Sequence, residues 1–239
     1  MVSTSPAAVP VLFHMNPTWT SIRIVQLLDE LSLSPDQVEV RVPTYAALKR
    51  DPAMVALNPL RRLPILLLPS GTVVLETGAI AQLLLERYDR DHRLMPAAGA
   101  SDDARAHALM WTHFATSTAY ALSSRAYVAT VGIPPADRDA DLLAAVAADW
   151  VATVVPAVGA ALADGRPYVL GAAYSAADVL LTFDFALLGW LGVDRADVVG
   201  GDDRVGGWLD RVMRRPSYRR AYAAMDKMVP YTAPAAGGL

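Results

Sequence analysis

Residues 58–84 read NPLRRLPILLLPSGTVVLETGAIAQLL and constrain the fold more than any other stretch. An apolar strand over 63–68 opens on Leu63-Pro64, turns at Pro69-Ser70-Gly71, and returns as a second short strand over 72–75. An amphipathic helix follows at once, so Glu76 and Thr77 fall at a helix N-terminus, where free N–H groups and the helix dipole favour an anion. Proline cannot donate to a sheet ladder, which makes Pro64 unusual inside a buried-strand pattern. A cis Leu63-Pro64 bond is the expected solution, turning backbone pairing groups toward a ligand. The segment predicts a site for a small peptide-like anion.

The 239 residues suffice for one large or two ordinary domains, and 54% hydrophobic with 19% charged residues predicts a globular chain with a large core. A net charge of -3 argues against nucleic acid as the main partner. The basic cluster of Arg211, Arg214, Arg215, Arg219 and Arg220 reads as a solvated helix face. There is no cysteine, which removes disulfides, thiolate nucleophiles and cysteine-based metal sites and is compatible with a cytoplasmic protein. The N-terminus lacks a signal-peptide pattern. Asp149, Pro156, Asp178 and Asp184 break the apolar runs, so no membrane span is expected.

The first ~90 residues alternate strand and helix signals. A strand over 9–13 precedes a helix over 18–31 with Ile24, Leu27, Leu28 and Leu31 on one face, and VEVRV over 38–42 alternates like a strand. The order βαβ, a segment of uncertain structure, then ββα is an α/β layer arrangement. The expected organisation is an α/β domain over 1–90, a linker over 91–103, and an all-α domain over 104–239. One helix is expected over 103–128, capped by Ser101 or Asp102, with a break at Gly132-Ile133-Pro134-Pro135. A long helix over 137–162 should kink or stop at Pro156. Ser175-Ala176-Ala177-Asp178 has capping-box spacing ahead of another apolar helix. Gly206-Gly207 suggests a break or a close packing point before a helix over 208–214, and Pro216-Ser217 starts the last helix.

Thr18, Thr20 and Ser21 form a hydroxyl cluster at the start of the first helix. Capping is the ordinary use of such hydroxyls. The functional alternative is a hydroxyl donating to a thiolate, where lowering a thiol pKa by about two units needs ~2.7 kcal/mol of preferential anion stabilisation. Glu76 and Thr77 have the same two readings: a cap, or a pair complementary to an amino-acid head group, with Glu76 on the ammonium and Thr77 on the carboxylate. Lys49, Arg50, Arg61 and Arg62 can hold a second carboxylate or simply face solvent. His14, His92, His107 and His113 show no metal-ligand spacing, and no metal is expected. Trp111, Phe114 and Tyr120, with Ser117 among them, read as core or as the wall of an apolar pocket.

Four motifs in order carry a family resemblance. Thr18-Trp19-Thr20-Ser21-Ile22-Arg23-Ile24 resembles S-P-x-S-x-(K/R)-V, and Asn58-Pro59-Leu60-Arg61-Arg62-Leu63-Pro64 resembles N-P-x-G-K-V-P. Gly71 through Ile80 resembles G-x-x-L-x-E-S-x-A-I, and Tyr174-Ser175-Ala176-Ala177-Asp178-Val179 resembles a capping box of a core helix. The chain is similar to the cytosolic glutathione S-transferases, in a form using a serine or threonine hydroxyl. The resemblance implies a thioredoxin-like N-terminal domain followed by a C-terminal helical bundle, glutathione as co-substrate, a small-molecule electrophile, and a homodimer acting in detoxification. It implies Glu76 and Thr77 for the γ-glutamyl group, the Leu63 backbone shaped by Pro64 for the cysteinyl part, and Lys49 or Arg50 with Arg62 for the glycine carboxylate. Thr18 falls at the thiol-activating position, with Thr20 or Ser21 able to replace it. His14, Trp19, Trp111, Phe114 and Ser117 are the expected electrophile pocket. Threonine stands at 18 and 77 where the pattern has serine, and Arg61 where it has glycine. A glutathione-dependent isomerase and a non-catalytic binding protein are the alternatives.

Overall fold

The computed structural model describes residues 3–15, 19–131 and 133–225. Asn16, Pro17, Thr18 and Gly132 therefore lie outside the described residues. Contacts divide the chain into two units, the first being Met1–His92 with Pro216–Met225, the second Arg93–Arg215. The sequence reading placed the last helix in the helical domain; its contacts place it in the first unit.

In the first unit, β1 (Val11–Phe13), α1 (Ser21–Glu30) and β2 (Glu39–Arg41) form a right-sized βαβ crossover. The uncertain segment is two short helices, α2 (Tyr45–Arg50) and α3 (Pro52–Leu57). Thr44 caps the first through the Ala47 N–H at 3.1 Å, and Asp51 caps the second through Ala53 N–H at 2.9 Å. β3 (Ile65–Leu67), β4 (Val73–Val74) and α4 (Thr77–Tyr88) complete it. The sheet order is β2-β1-β3-β4, with β1 parallel to β2 and antiparallel to β3. Strand alternation sends Val11, Phe13, Ile65 and Leu67 to one face, where Leu48, Met54 and Leu63 close a buried cluster. Leu12 pairs with Leu66 and both point to the other face. Full burial of each such side chain stabilises the fold by roughly 1.5–3 kcal/mol. This is the α/β layer that the sequence pattern implied, and the thioredoxin-like domain that the resemblance implied. α11 (Pro216–Tyr222) lies on α1, where Arg220 makes two 2.7 Å contacts with the Asp29 carboxylate and Ser217 donates to Glu30.

The second unit is helical. α5 (Asp102–His113) is capped by Ser101, whose Oγ accepts the Ala104 N–H at 3.3 Å. The expected single helix is instead α5, a π-helical stretch Phe114–Ala119, and α6 (Tyr120–Thr130). Thr116 and Ser117 hydroxyls donate to the carbonyls of Thr112 and His113 at 3.0 and 2.6 Å, competing with the backbone for those acceptors where the helix widens. α7 (Ala140–Ala161) runs through Pro156 without interruption. Its buried face, Val146, Trp150, Val154 and Val158, lies on both sides of Pro156, and packing there offsets the lost backbone bond. By length and composition α7 could cross a membrane, with a mean hydropathy of 1.8, which the sequence reading had excluded. Its one-sided burial and its contacts with α6 and two later helices, α9 (Arg195–Val199) and α10 (Asp203–Met213), are those of a bundle helix.

α8 (Ala176–Trp190) is buried at every position from Ala176 to Leu188, so it is the centre of the unit. Asp178 within it is fully buried and accepts four hydrogen bonds: Ser175 N–H at 2.9 Å, Ser175 Oγ at 2.6 Å, Val169 N–H at 3.1 Å and Trp208 Nε1 at 2.8 Å. The S-x-x-D signal thus ties together α8, the preceding loop and α10. Burial pushes the Asp178 carboxyl up, and the four donors pull against it. Phe185 sits edge-on between Trp150 at 4.8 Å and Trp208 at 5.1 Å. Gly206 and Gly207 neither break α10 nor mark close packing: the helix runs through both, and nothing lies within 4 Å of a Cβ built there. Asp202 caps this helix, and Val205, Trp208, Leu209 and Val212 bury its inner face.

Candidate functional site

The site in the first unit is organised by one buried amide. Asn58, 3% exposed, accepts the Leu60 N–H on Oδ1 at 3.0 Å and donates from Nδ2 to the Arg62 carbonyl at 2.9 Å. Its own carbonyl takes the Arg61 N–H at 2.9 Å. The turn sets Arg61 at φ +53°, where a glycine is the easy residue. The role of Asn58 is not legible from the motif by itself; an Asn-Pro pair opening a turn is the available signal. Asn58→Ala is expected to destabilise the fold by about 2 kcal/mol, read as a shift of the urea midpoint at constant slope.

The turn delivers the chain to Leu63-Pro64, which is cis as expected. The Leu63 carbonyl accepts the Thr20 hydroxyl at 3.2 Å. Thr20 is the N-cap of α1 but is itself helical and makes no capping bond, so the capping reading fails for it. Ser21 is fully buried, and its Oγ lies 2.9 Å from His14 Nδ1. The hydroxyls of Thr20 and Ser21 therefore both have partners inside the protein. Thr18 lies outside the described residues.

Glu76 precedes α4 at φ +71°, ψ 124°, and makes no capping bond. This is a sparsely populated backbone region for a residue with a Cβ, costing on the order of 1–3 kcal/mol, and such outliers cluster at ligand sites. The Glu76 side chain is exposed and pairs with no cation among the described residues. Thr77, 9% exposed, is the first helical residue, and its hydroxyl makes no hydrogen bond among the described residues. The two side chains thus stand unpaired beside the free N–H groups of a 12-residue helix.

Lys49, Arg61 and Arg62 gather from α2 and the 58–64 turn. Lys49 Nζ donates to the Arg61 carbonyl at 2.9 Å and lies 5.6 and 5.4 Å from the Trp19 and Tyr45 ring centres. Burial holds the Lys49 ammonium below the usual lysine value, and the guanidinium groups of Arg62 and Arg61 add repulsion. No carboxylate pairs with Lys49, Arg50, Arg61 or Arg62 among the described residues, whereas Arg41, Arg166, Arg204 and Arg220 each meet one.

A family described as glutathione S-transferase, N-terminal domain, matches residues 8–92. Residues 8–92 are thus a glutathione S-transferase N-terminal domain. Glutathione S-transferase-like protein tpcF of Aspergillus fumigatus is 34% identical over 96 residues, 40% of this chain and 40% of that protein, so the chain matches less than half the length of this relative. The glutathione transferase URE2P6 from Phanerochaete chrysosporium, solved with oxidized glutathione, superposes with a TM-score of 0.75 at 17% identity, covering 91% of this chain and 96% of that one. A sphingomonad glutathione S-transferase complexed with glutathione gives a TM-score of 0.68 at 23% identity, covering 91% of this chain and all (100%) of that one. The transferase fold thus extends over both units.

Within the glutathione S-transferase domain, Lys49, Arg62, Leu63, Pro64, Glu76 and Thr77 occur in the motifs described above, and Arg50 is exposed at the end of α2. Of the electrophile-pocket candidates, His14 is 5% exposed and bonded to Ser21, and Trp19 is half-buried near Lys49. Trp111, 6% exposed, stacks edge-on with Phe114 at 5.2 Å in the second unit, and Ser117 is exposed with its hydroxyl turned back to the helix. No group of three or more metal-ligating side chains occurs among the described residues.

Proposed function

We propose that the chain binds glutathione and activates its thiol for attack on a small apolar electrophile. The observation that carries this reading is Glu76, held at φ +71° and unpaired ahead of α4, beside the unbonded hydroxyl of Thr77. Glu76 takes the γ-glutamyl ammonium, while Thr77 and the first N–H groups of α4 take its carboxylate. The Leu63 backbone pairs with the cysteinyl part, and Lys49 with Arg62 takes the glycine carboxylate. Thr20 already donates its only hydroxyl proton to Leu63, and Ser21 is buried against His14. That leaves Thr18 as the donor to the thiolate. Its hydroxyl and nearby N–H groups supply the charge stabilisation, and binding supplies the positioning.

The test is an ultraviolet titration of the bound thiol. The expected result is a thiol pKa below that of free glutathione, lost in Thr18→Ala while glutathione affinity stays within a few-fold. A bound thiol that titrates as it does in free solution contradicts the reading.

The depressed Lys49 gives a second handle. An anion bound beside it favours the charged ammonium and raises its pKa, so binding takes up protons at alkaline pH. S-methylglutathione, which has no ionisable thiol, is expected to bind with more proton uptake at alkaline pH in the wild type than in Lys49→Met, where only the ligand's own ammonium contributes. Calorimetry in buffers of different ionisation enthalpy measures this directly.

A further inference from the structure

Two of the chain's 21 basic residues are lysines, Lys49 and Lys227, and the rest are arginines. An arginine keeps its proton under all ordinary conditions, whereas a lysine can lose it and become a nucleophile. The surroundings of Lys49 favour that second use. Its Nζ is held in one place at the surface: it donates to the Arg61 carbonyl at 2.9 Å. Nζ also lies 5.4 Å from the centre of the Tyr45 ring, one turn earlier on α2, and 5.6 Å from that of Trp19. Tyr45 is 59% exposed, which leaves this side of the group open to solvent.

Burial, and then the guanidinium groups of Arg62 and Arg61, hold the ammonium below the usual lysine value. More of the amine is therefore neutral at a given pH. The same two guanidinium groups are exposed and meet no carboxylate among the described residues. They thus act twice on a reaction at Nζ: they disfavour the protonated amine, and they attract a negatively charged reagent.

We propose that Lys49 is an acylation site for acyl phosphates. The neutral amine attacks the acyl carbon, the bond from that carbon to the phosphate oxygen breaks, and inorganic phosphate leaves with the proton that the amine gives up. The amide that forms carries no charge, so Lys49 can no longer hold a carboxylate. That consequence rests on the glutathione reading above; the reactivity of the amine does not.

The probe is acetyl phosphate, with neutral p-nitrophenyl acetate as its control, incubated with the full chain in the absence of glutathione. Peptide mass spectrometry follows Lys49 over time. Lys49 is expected to be acetylated by acetyl phosphate about tenfold faster in the chain than in a peptide of residues 45–53, which lacks the 58–64 turn. The double variant Arg61→Gln, Arg62→Gln is expected to slow acetyl phosphate about tenfold and p-nitrophenyl acetate about threefold, since only the anionic reagent also loses its attraction. Circular dichroism verifies that the variant is folded. A chain that reacts no faster than the peptide, or equal losses of both reagents in the variant, overturns the proposal and leaves the glutathione reading standing. Saturating S-methylglutathione is expected to protect Lys49. Selective acetylation without protection supports the site proposed here and contradicts the carboxylate assigned to Lys49.

Discussion

Asp178→Ala is expected to lower the unfolding free energy by about 4 kcal/mol, the upper part of what single substitutions do. The reason is the number of donors that converge on one carboxylate. Val169 N–H, Ser175 N–H, Ser175 Oγ and Trp208 Nε1 all point at it from three segments of the second unit. Alanine leaves these donors facing a void that water reaches poorly, because the residue is fully buried. Asp178→Asn keeps the shape and one acceptor oxygen, so it is expected to lose about half as much. Urea unfolding of the two variants separates the causes. Equal, small losses in both would show that the carboxylate does not hold the unit together.

Glu76→Ala is expected to weaken glutathione binding about thirtyfold, or about 2 kcal/mol, with little change in stability. Glu76 makes no side-chain hydrogen bond or ion pair among the described residues that its removal could break. Its loss leaves the ligand ammonium unpaired in the bound state, which is the costly outcome. Glu76→Gln retains a hydrogen-bond acceptor and is expected to fall between the two. Glu76→Gly is the informative control on strain. It relieves the positive φ and is expected to keep or raise thermal stability while losing the same affinity as alanine. Strain and binding are thereby read separately at one residue.

Much of the architecture was legible because its signals are local. Short apolar runs marked β1 and β3, alternation marked β2, Glu76-Thr77 marked the start of α4, and S-x-x-D marked the start of α8. The departures from expectation have identifiable causes. Pro156 does not end α7, and Gly206-Gly207 does not end α10, because buried side chains on either side outweigh the local preference. The π-helical stretch at Phe114–Ala119 leaves no composition signal in FATSTA beyond hydroxyls suited to carbonyl bonding. The candidate site was readable as a set of charges and hydroxyls, but not as an arrangement. The sequence put Thr18 at the activating position with Thr20 or Ser21 as replacements; the three-dimensional partners of the last two are Leu63 and His14. Arg61 departed from the glycine of the family pattern, and the structure holds it in a left-handed backbone, with Lys49 bonded to its carbonyl.

Titration calorimetry of glutathione into the wild-type chain tests the central claim most directly. The account predicts saturable binding of one glutathione per chain, with S-methylglutathione binding comparably, since the contacts assigned to Glu76, Thr77, Lys49 and Arg62 do not involve the sulfur. No saturable heat at millimolar glutathione from a chain shown to be folded would contradict it.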